Sequence, residues 1–255
     1  MNQLADQRAI VVGASRGLGR GVAEAYLAEG ASVVAIARDT SPLSELAARD
    51  KHLQLEAADA SAPLVAGRVL QQYRPDVVAL VAGAAPSLRP LQQHTWESFS
   101  RNWNSDVQMT FHWLREALLL PLRPGSRVIV MSSGAAVMGS PLSGGYAGAK
   151  ATQRFMADYA SQEAQRANLQ ISFSAVLPRL TPLTSLGKAA TEAYAARMGV
   201  GEAEYLRQLG NPVTPEIAGR AFVSLATGGQ AAGAYLLTAE GLQPVPGSAP
   251  VGVAR

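Results

Sequence analysis

Tyrosine and lysine stand four residues apart in Tyr146-Ala-Gly-Ala-Lys150. On a helix that spacing puts the phenol and the ammonium on one face. A free phenol titrates at about pH 10, too high for ready proton exchange at neutral pH, and a neighbouring cation favours its ionised form. Lysine is scarce: only Lys51, Lys150 and Lys188 stand among 22 basic residues. A lysine in a motif position therefore carries more weight than one in a lysine-rich chain. A second candidate is Met131-Ser132-Ser133-Gly134, after an apolar run. A serine hydroxyl there can donate to a carbonyl oxygen as negative charge develops on it. The third is Gly13-Ala-Ser15-Arg16-Gly17-Leu18-Gly19. Glycines in such a turn let the backbone approach a pyrophosphate, which then rests on a helix N-terminus. Their spacing is three intervening residues and then one, not the one-then-two of the commoner dinucleotide fingerprint.

The residues after the second apolar run bear on the choice of nucleotide. NAD sites usually carry a carboxylate there for the ribose hydroxyls. This chain has Ala37 and then Arg38, and an arginine fork suits a ribose 2′-phosphate. Arg16, in the glycine turn, lies close enough to help. NADP(H) is the cofactor expected. If Arg38 instead pairs with the adjacent Asp39, NAD(H) and alcohol oxidation become the alternative.

These motifs need a scaffold, and the chain supplies alternating strands and helices. Strands are predicted at 9–12, 32–37, 53–57, 76–82, 127–131, 171–176 and 234–238. Helices are predicted at 17–29, from Ser41 onward, and at 63–73, 96–120, 146–167 and 214–226. Runs of buried apolar residues that do not alternate mean a parallel sheet covered on both sides. The predicted fold is a Rossmann-type, doubly wound α/β structure: seven parallel strands with helices on both faces. Its ligands bind beyond the carboxyl ends of the strands, where all three motifs fall.

Residues 1–241 read as one domain, with 242–255 as an extended tail rich in Pro, Gly, Ser and Val. Hydrophobic residues make up 48% of the chain and charged residues 16%, enough for a large core. The absence of cysteine excludes disulfides, thiolate catalysis and sulfur-ligated zinc. His52, His94 and His112 form no ligand-spaced pair, so no metal site is expected. The net charge of +3 comes from scattered arginines, which argues against a nucleic-acid partner. No apolar run reaches the roughly 18 residues of a membrane span, and the N-terminus lacks a signal-peptide layout. A cytoplasmic protein is expected.

Taken together, the glycine turn, the serine and the Tyr-x-x-x-Lys helix resemble the short-chain dehydrogenase/reductase family. The resemblance runs from Arg8 to about Gly241 and is weakest between Leu183 and Thr214. It implies that Tyr146 donates or accepts the proton, aided by Lys150, which also holds the nicotinamide ribose. The family serine lies about thirteen residues before the tyrosine, which selects Ser133 over Ser132 as the residue orienting the carbonyl. Asp59 matches the adenine contact and Gly83 the backbone beside the adenine ribose. Pro178 matches the proline beside the nicotinamide, and Ala82 and Thr181 join the cofactor contacts.

Three departures stand out from the family pattern. Val81 replaces the asparagine of Asn-Ala-Gly. The fourth catalytic position, usually asparagine, falls on Asp106, with Asn104 two residues away. Arg179 replaces the glycine after Pro178. Asp106 can order a proton-relay water or bind Lys150 and change its charge balance.

The resemblance also implies a homotetramer or homodimer built on the helices at 96–120 and 144–167. Residues 183–213 stand where the family carries a substrate lid, with helical stretches at 189–197 and 202–209. There Tyr194, Met198, Tyr205 and Leu206 face either an apolar substrate or the core. Met138 and Leu142 would surround the tyrosine with apolar surface. A neutral ketone, alcohol or fused-ring compound suits such a pocket. The competing reading is a catalytically weak NADP(H)-binding sensor or regulatory protein.

Overall fold

The computed structural model describes residues 2–228 and 233–246. β1 (Arg8–Val12), β2 (Ser32–Ala37), β4 (Val77–Leu80) and β5 (Arg127–Met131) are short, β-branched and almost wholly buried. Strands buried on both faces have no polar alternation to keep, hence their continuous apolar runs. Between them lie α1 (Gly17–Ala28), α2 (Ser44–Arg49), β3 (Leu53–Ala57), α3 (Val65–Tyr73), α4 (Trp96–Ser100) and α5 (Gln108–Leu119). After β5 come α6 (Ala135–Met138), α7 (Gly144–Arg166), β6 (Ser172–Pro178), α8 (Ser185–Met198), α9 (Glu202–Leu209), α10 (Pro215–Ala226), β7 (Gly233–Thr238) and β8 (Gly241–Pro244).

The strands run in the order β3-β2-β1-β4-β5-β6-β7-β8. Strands β1 to β7 pair in parallel and β8 returns antiparallel to β7. Alternate residues of β1 serve the two faces, as the strand period of two requires. Val11 packs with Val22, Tyr26 and Phe222 beneath α1 and α10. Ile10 and Val12 pack with Leu80, Trp113 and Phe173 on the side of α3, α5 and α7. Strand order reverses between β1 and β4, which opens a crevice at their carboxyl ends.

Among the described residues the sheet thus has eight strands where seven were predicted. The added strand comes from the start of the segment expected to be an extended tail: Gly241 pairs back to Thr238 and Leu242 to Leu237. Residues 247–255 of that tail lie outside the described residues. The single helix expected at 96–120 is broken into two. α4 is capped by Thr95, whose hydroxyl accepts from the Ser98 amide while the Ser98 hydroxyl takes the Thr95 amide. A π-type turn over Trp103–Val107 then precedes α5, and the Val107 amide reaches back to the Asn102 carbonyl at 3.2 Å. Such a turn absorbs an extra residue and re-aims its side chains. Here it aims Asp106 inward.

Candidate active site

A cleft of about 1080 Å³ follows the carboxyl ends of the strands. The residues assigned in the sequence to the cofactor and to the four catalytic positions line it: Gly13, Ser15, Arg16, Gly17, Leu18, Gly19, Arg38, Asp59, Ala82, Gly83, Asp106, Ser133, Tyr146, Lys150, Pro178 and Thr181.

The glycine turn forms one end. Gly13 has φ +87°, and a Cβ there would stand 2.6 Å from the Ala82 backbone. Only glycine permits that approach of β1 to the loop after β4. Arg16 occupies the N-cap position of α1 without capping it through its side chain. The first amides of any helix lack intrahelical partners, so this end of the cleft suits an anion. Arg16 and Arg38 are both exposed and form no ion pair among the described residues. The alternative pairing of Arg38 with Asp39 does not form. Asp39 instead takes the Ser41 amide at 2.9 Å and its hydroxyl at 2.6 Å, and these bonds hold its carboxyl below the usual range. Asp59 accepts the Ser61 hydroxyl and amide. Those bonds lower its carboxyl as well, and the charge of Arg38 adds to the effect.

At the other end β5 delivers two serines with different duties. The Ser132 hydroxyl donates to the Lys150 carbonyl at 2.6 Å, a buried bond. The Ser133 oxygen accepts from the Ala135 amide at 3.2 Å, which leaves its own proton to give. Tyr146 and Lys150 lie on α7 as the spacing predicted, with Nζ 5.5 Å from the centre of the phenol ring. Lys150 is only 4% exposed. Its Nζ pairs with Asp106 Oδ2 at 3.2 Å, donates to Gln153 Oε1 at 2.8 Å and reaches the Met131 carbonyl at 3.4 Å. Of the two residues weighed for the fourth catalytic position, Asp106 therefore stands in the site. Asn104 is exposed and does not line the cleft. Gln153 was missed in the sequence, although it lies three residues past Lys150 and so on the same helical face.

Lid residues sort differently from expectation. Tyr194 and Tyr205 line the cleft, their rings stacked at 6.4 Å and 16°. Burial pushes the Tyr205 phenol up. The Tyr194 hydroxyl bonds that of Ser140, which bonds Ser143 at 2.5 Å. Met198 and Leu206 do not line the cleft and are exposed instead. The helix holding Met198 starts at Ser185, not near 189, because the Thr184 hydroxyl caps it by accepting from the Gly187 amide. Met138 lines the cleft as expected, whereas Leu142 is buried away from it. Arg179 lines the cleft and forms no ion pair among the described residues. Among those residues no cluster of His, Cys, Asp or Glu could hold a metal ion, and no helix is long and apolar enough to cross a membrane.

A doubly wound sheet with a glycine turn after β1 and a cleft at the reversal of strand order defines a Rossmann-type protein. The chain belongs to the short chain dehydrogenase family, whose model matches residues 7–195. It is 29% identical over 185 residues to an uncharacterized oxidoreductase, YghA, of Escherichia coli, covering 66% of this chain and 62% of that protein. The match therefore spans less than two thirds of that relative. Hydroxynaphthalene reductase-like protein Arp2 of Metarhizium majus is 29% identical over 187 residues, covering 69% of this chain and 68% of its own. Solved structures share the fold. A short chain dehydrogenase from Mycobacterium avium superposes with a TM-score of 0.77 at 20% identity, over 96% of this chain and 87% of that one. A 3-oxoacyl (acyl-carrier-protein) reductase from Agrobacterium tumefaciens with NADP bound gives 0.77 at 21%, over 92% and 94%.

Proposed function

We propose that this chain is an NADP(H)-dependent oxidoreductase that moves a hydride between the nicotinamide and a small carbonyl compound or its alcohol. The carrying observation is that Ser133, Tyr146 and Lys150 share one cleft with the glycine turn. The residues fit a dinucleotide. A Cβ would fill the cradle at Gly13, and Arg16 and Arg38 have no carboxylate partner among the described residues. Arg38, with Arg16, holds the 2′-phosphate in this reading, which favours NADP(H) over NAD(H). Asp59 and Gly83 receive the adenosine, and Pro178 and Thr181 border the nicotinamide. The bound dinucleotide supplies or takes up the hydride. Ser133 donates to the substrate oxygen and orients it. Tyr146 gives that oxygen its proton in reduction and takes it back in oxidation. Lys150 keeps positive charge beside the phenol.

One catalytic domain runs through the sheet as far as Pro244, with α8 and α9 as the lid. Tyr194 and Tyr205 face a neutral, apolar substrate, as a ketone or fused-ring compound would be; one relative is named a hydroxynaphthalene reductase-like protein. We place the protein in the cytoplasm as a homodimer or homotetramer. The exposed aromatic faces of α5 and α7 support such an assembly: Phe155 is 48% exposed and Tyr159 59%. The departures from the family pattern at Asp106 and Val81 favour a second reading, a weakly active NADP(H)-binding sensor.

The test is titration with NADPH and NADH followed by nicotinamide fluorescence, then a panel of ketones assayed with wild type and Tyr146→Phe. Oxidoreductase function predicts tighter NADPH binding, with turnover falling by about a hundredfold or more in the variant. Tight binding without turnover by wild type selects the sensor. Binding of neither dinucleotide sinks both.

A further inference from the structure

Asp106 occupies a position that the proposed reaction does not explain. The residue is 1% exposed, and burying an ionised carboxylate is costly unless it is paired and hydrogen-bonded. Here it is both. Oδ1 accepts the Ala84 amide at 2.8 Å and the Ser105 hydroxyl at 2.8 Å. Oδ2 faces Lys150 Nζ at 3.2 Å and accepts from the Asn102 side-chain Nδ2 at 3.4 Å. The turn backbone is held equally firmly, because the Asp106 carbonyl accepts from Gln153 Nε2 at 3.1 Å and from the Thr110 hydroxyl at 2.9 Å. A carbonyl with two bonds made has no further lone pair for a water. The outward neighbour of Lys150 is therefore the carboxylate.

The groups that meet Lys150 Nζ are Asp106 from the π-type turn, Gln153 and the Tyr146 ring from α7, and the Met131 carbonyl from β5. Asp106 supplies the only negative charge among these. An ammonium has three protons to donate, and Asp106, Gln153 and the Met131 carbonyl match them. Gly83 closes the remaining side: a Cβ there would stand 3.0 Å from Asp106 Oδ2 and 3.3 Å from Nζ. The pair is thus packed as well as bonded.

We propose that Asp106 is a positioning residue, the counter-ion that holds the Lys150 ammonium fixed against Tyr146 when ligand fills the cleft. This rests on the oxidoreductase reading for its role in turnover, though the pairing can be tested without cofactor. Removing one partner of a buried pair strands the other charge, and a lysine without its counter-ion is free to turn toward the cleft.

With only three lysines in the chain, amine labelling can be read residue by residue. Cofactor-free protein is treated with formaldehyde and a borohydride, and methylation is followed by peptide mass spectrometry. The exposed Lys51 and Lys188 serve as internal standards. Lys150 of wild type should react far more slowly than Lys188. In Asp106→Asn its rate relative to Lys188 should rise by at least about tenfold, the ratio that about 1.4 kcal/mol of lost pairing brings. Gly83→Ala, which wedges the pair without altering either charge, should move the rate the same way and serves if Asp106→Asn does not unfold cooperatively. An unchanged Lys150 rate in a folded variant overturns the counter-ion and leaves the oxidoreductase reading standing. Wild type that binds neither dinucleotide removes that reading, and the labelling rates alone then judge the pair.

Discussion

The Ser132 hydroxyl and the Lys150 carbonyl meet at 2.6 Å, fastening the end of β5 to α7 across eighteen residues. That bond occupies the one proton Ser132 has. Its neighbour Ser133, which accepts from the Ala135 amide, keeps its proton for a ligand in the cleft. Two adjacent serines should therefore fail in different ways. Ser133→Ala should lower kcat/KM for carbonyl reduction by about a hundredfold with an unchanged melting temperature. Ser132→Ala should cost about 1 kcal/mol of stability and much less turnover. Steady-state kinetics beside thermal melts separates them, and the reverse pattern would exchange their roles.

Arg38 is exposed at the cleft, and Asp39 is held by Ser41 instead. Arg38→Ala should weaken NADPH binding by at least about tenfold, the scale of a charge-assisted phosphate contact, with NADH binding unchanged. Equal losses for both nucleotides in a fluorescence titration would remove the 2′-phosphate assignment.

Away from the cleft, Glu56 gives the fold an acid-sensitive joint between β3 and α3. The hydrogen bond from Arg68 at 2.7 Å, helped by the Tyr73 hydroxyl at 3.0 Å, holds its carboxyl below the usual range. A lowered carboxylate stabilises the fold when ionised. Its contribution is fully present above the ordinary glutamate value of about 4.3 and is lost as pH falls through the lower folded value. Glu56→Gln should cost about 1 kcal/mol at neutral pH and little in strong acid. Urea unfolding at several pH values reads the difference, and a pH-independent cost would discard the linkage.

Phe155 and Tyr159 stack at 6.4 Å on the outer face of α7. If that face joins copies of the chain, Phe155→Glu should weaken assembly by about thirtyfold or more, as expected for an aromatic anchor worth about 2 kcal/mol. Light scattering at micromolar concentration is the measurement. A wild-type monomer would dismiss the interface before any variant is made.

Much of the architecture was legible in the sequence because its cues are local. β5 was predicted with the bounds it has, since Arg127–Met131 is a short apolar run between turn residues. The strand reading stopped before the added edge strand, because a four-residue strand beginning at a glycine has no periodicity to detect. Helix 96–120 was read as continuous for the opposite reason. It holds no proline or glycine to signal a stop, and the break comes from bonds that Asn102 and Asp106 make to Ala84 in a distant loop.

By itself, then, the sequence determined the strand–helix alternation, the glycine turn, and the helical pairing of Tyr146 with Lys150. Each depends on residues within a few positions of one another. Tertiary structure alone decided that Asp106 and Gln153 grip the Lys150 ammonium. It alone turned Tyr194 and Tyr205, rather than Met198 and Leu206, toward the cleft. Such outcomes depend on which elements pack together and on how each helix is rotated about its axis. The summed burial of the whole chain sets both, and no short stretch of residues carries them.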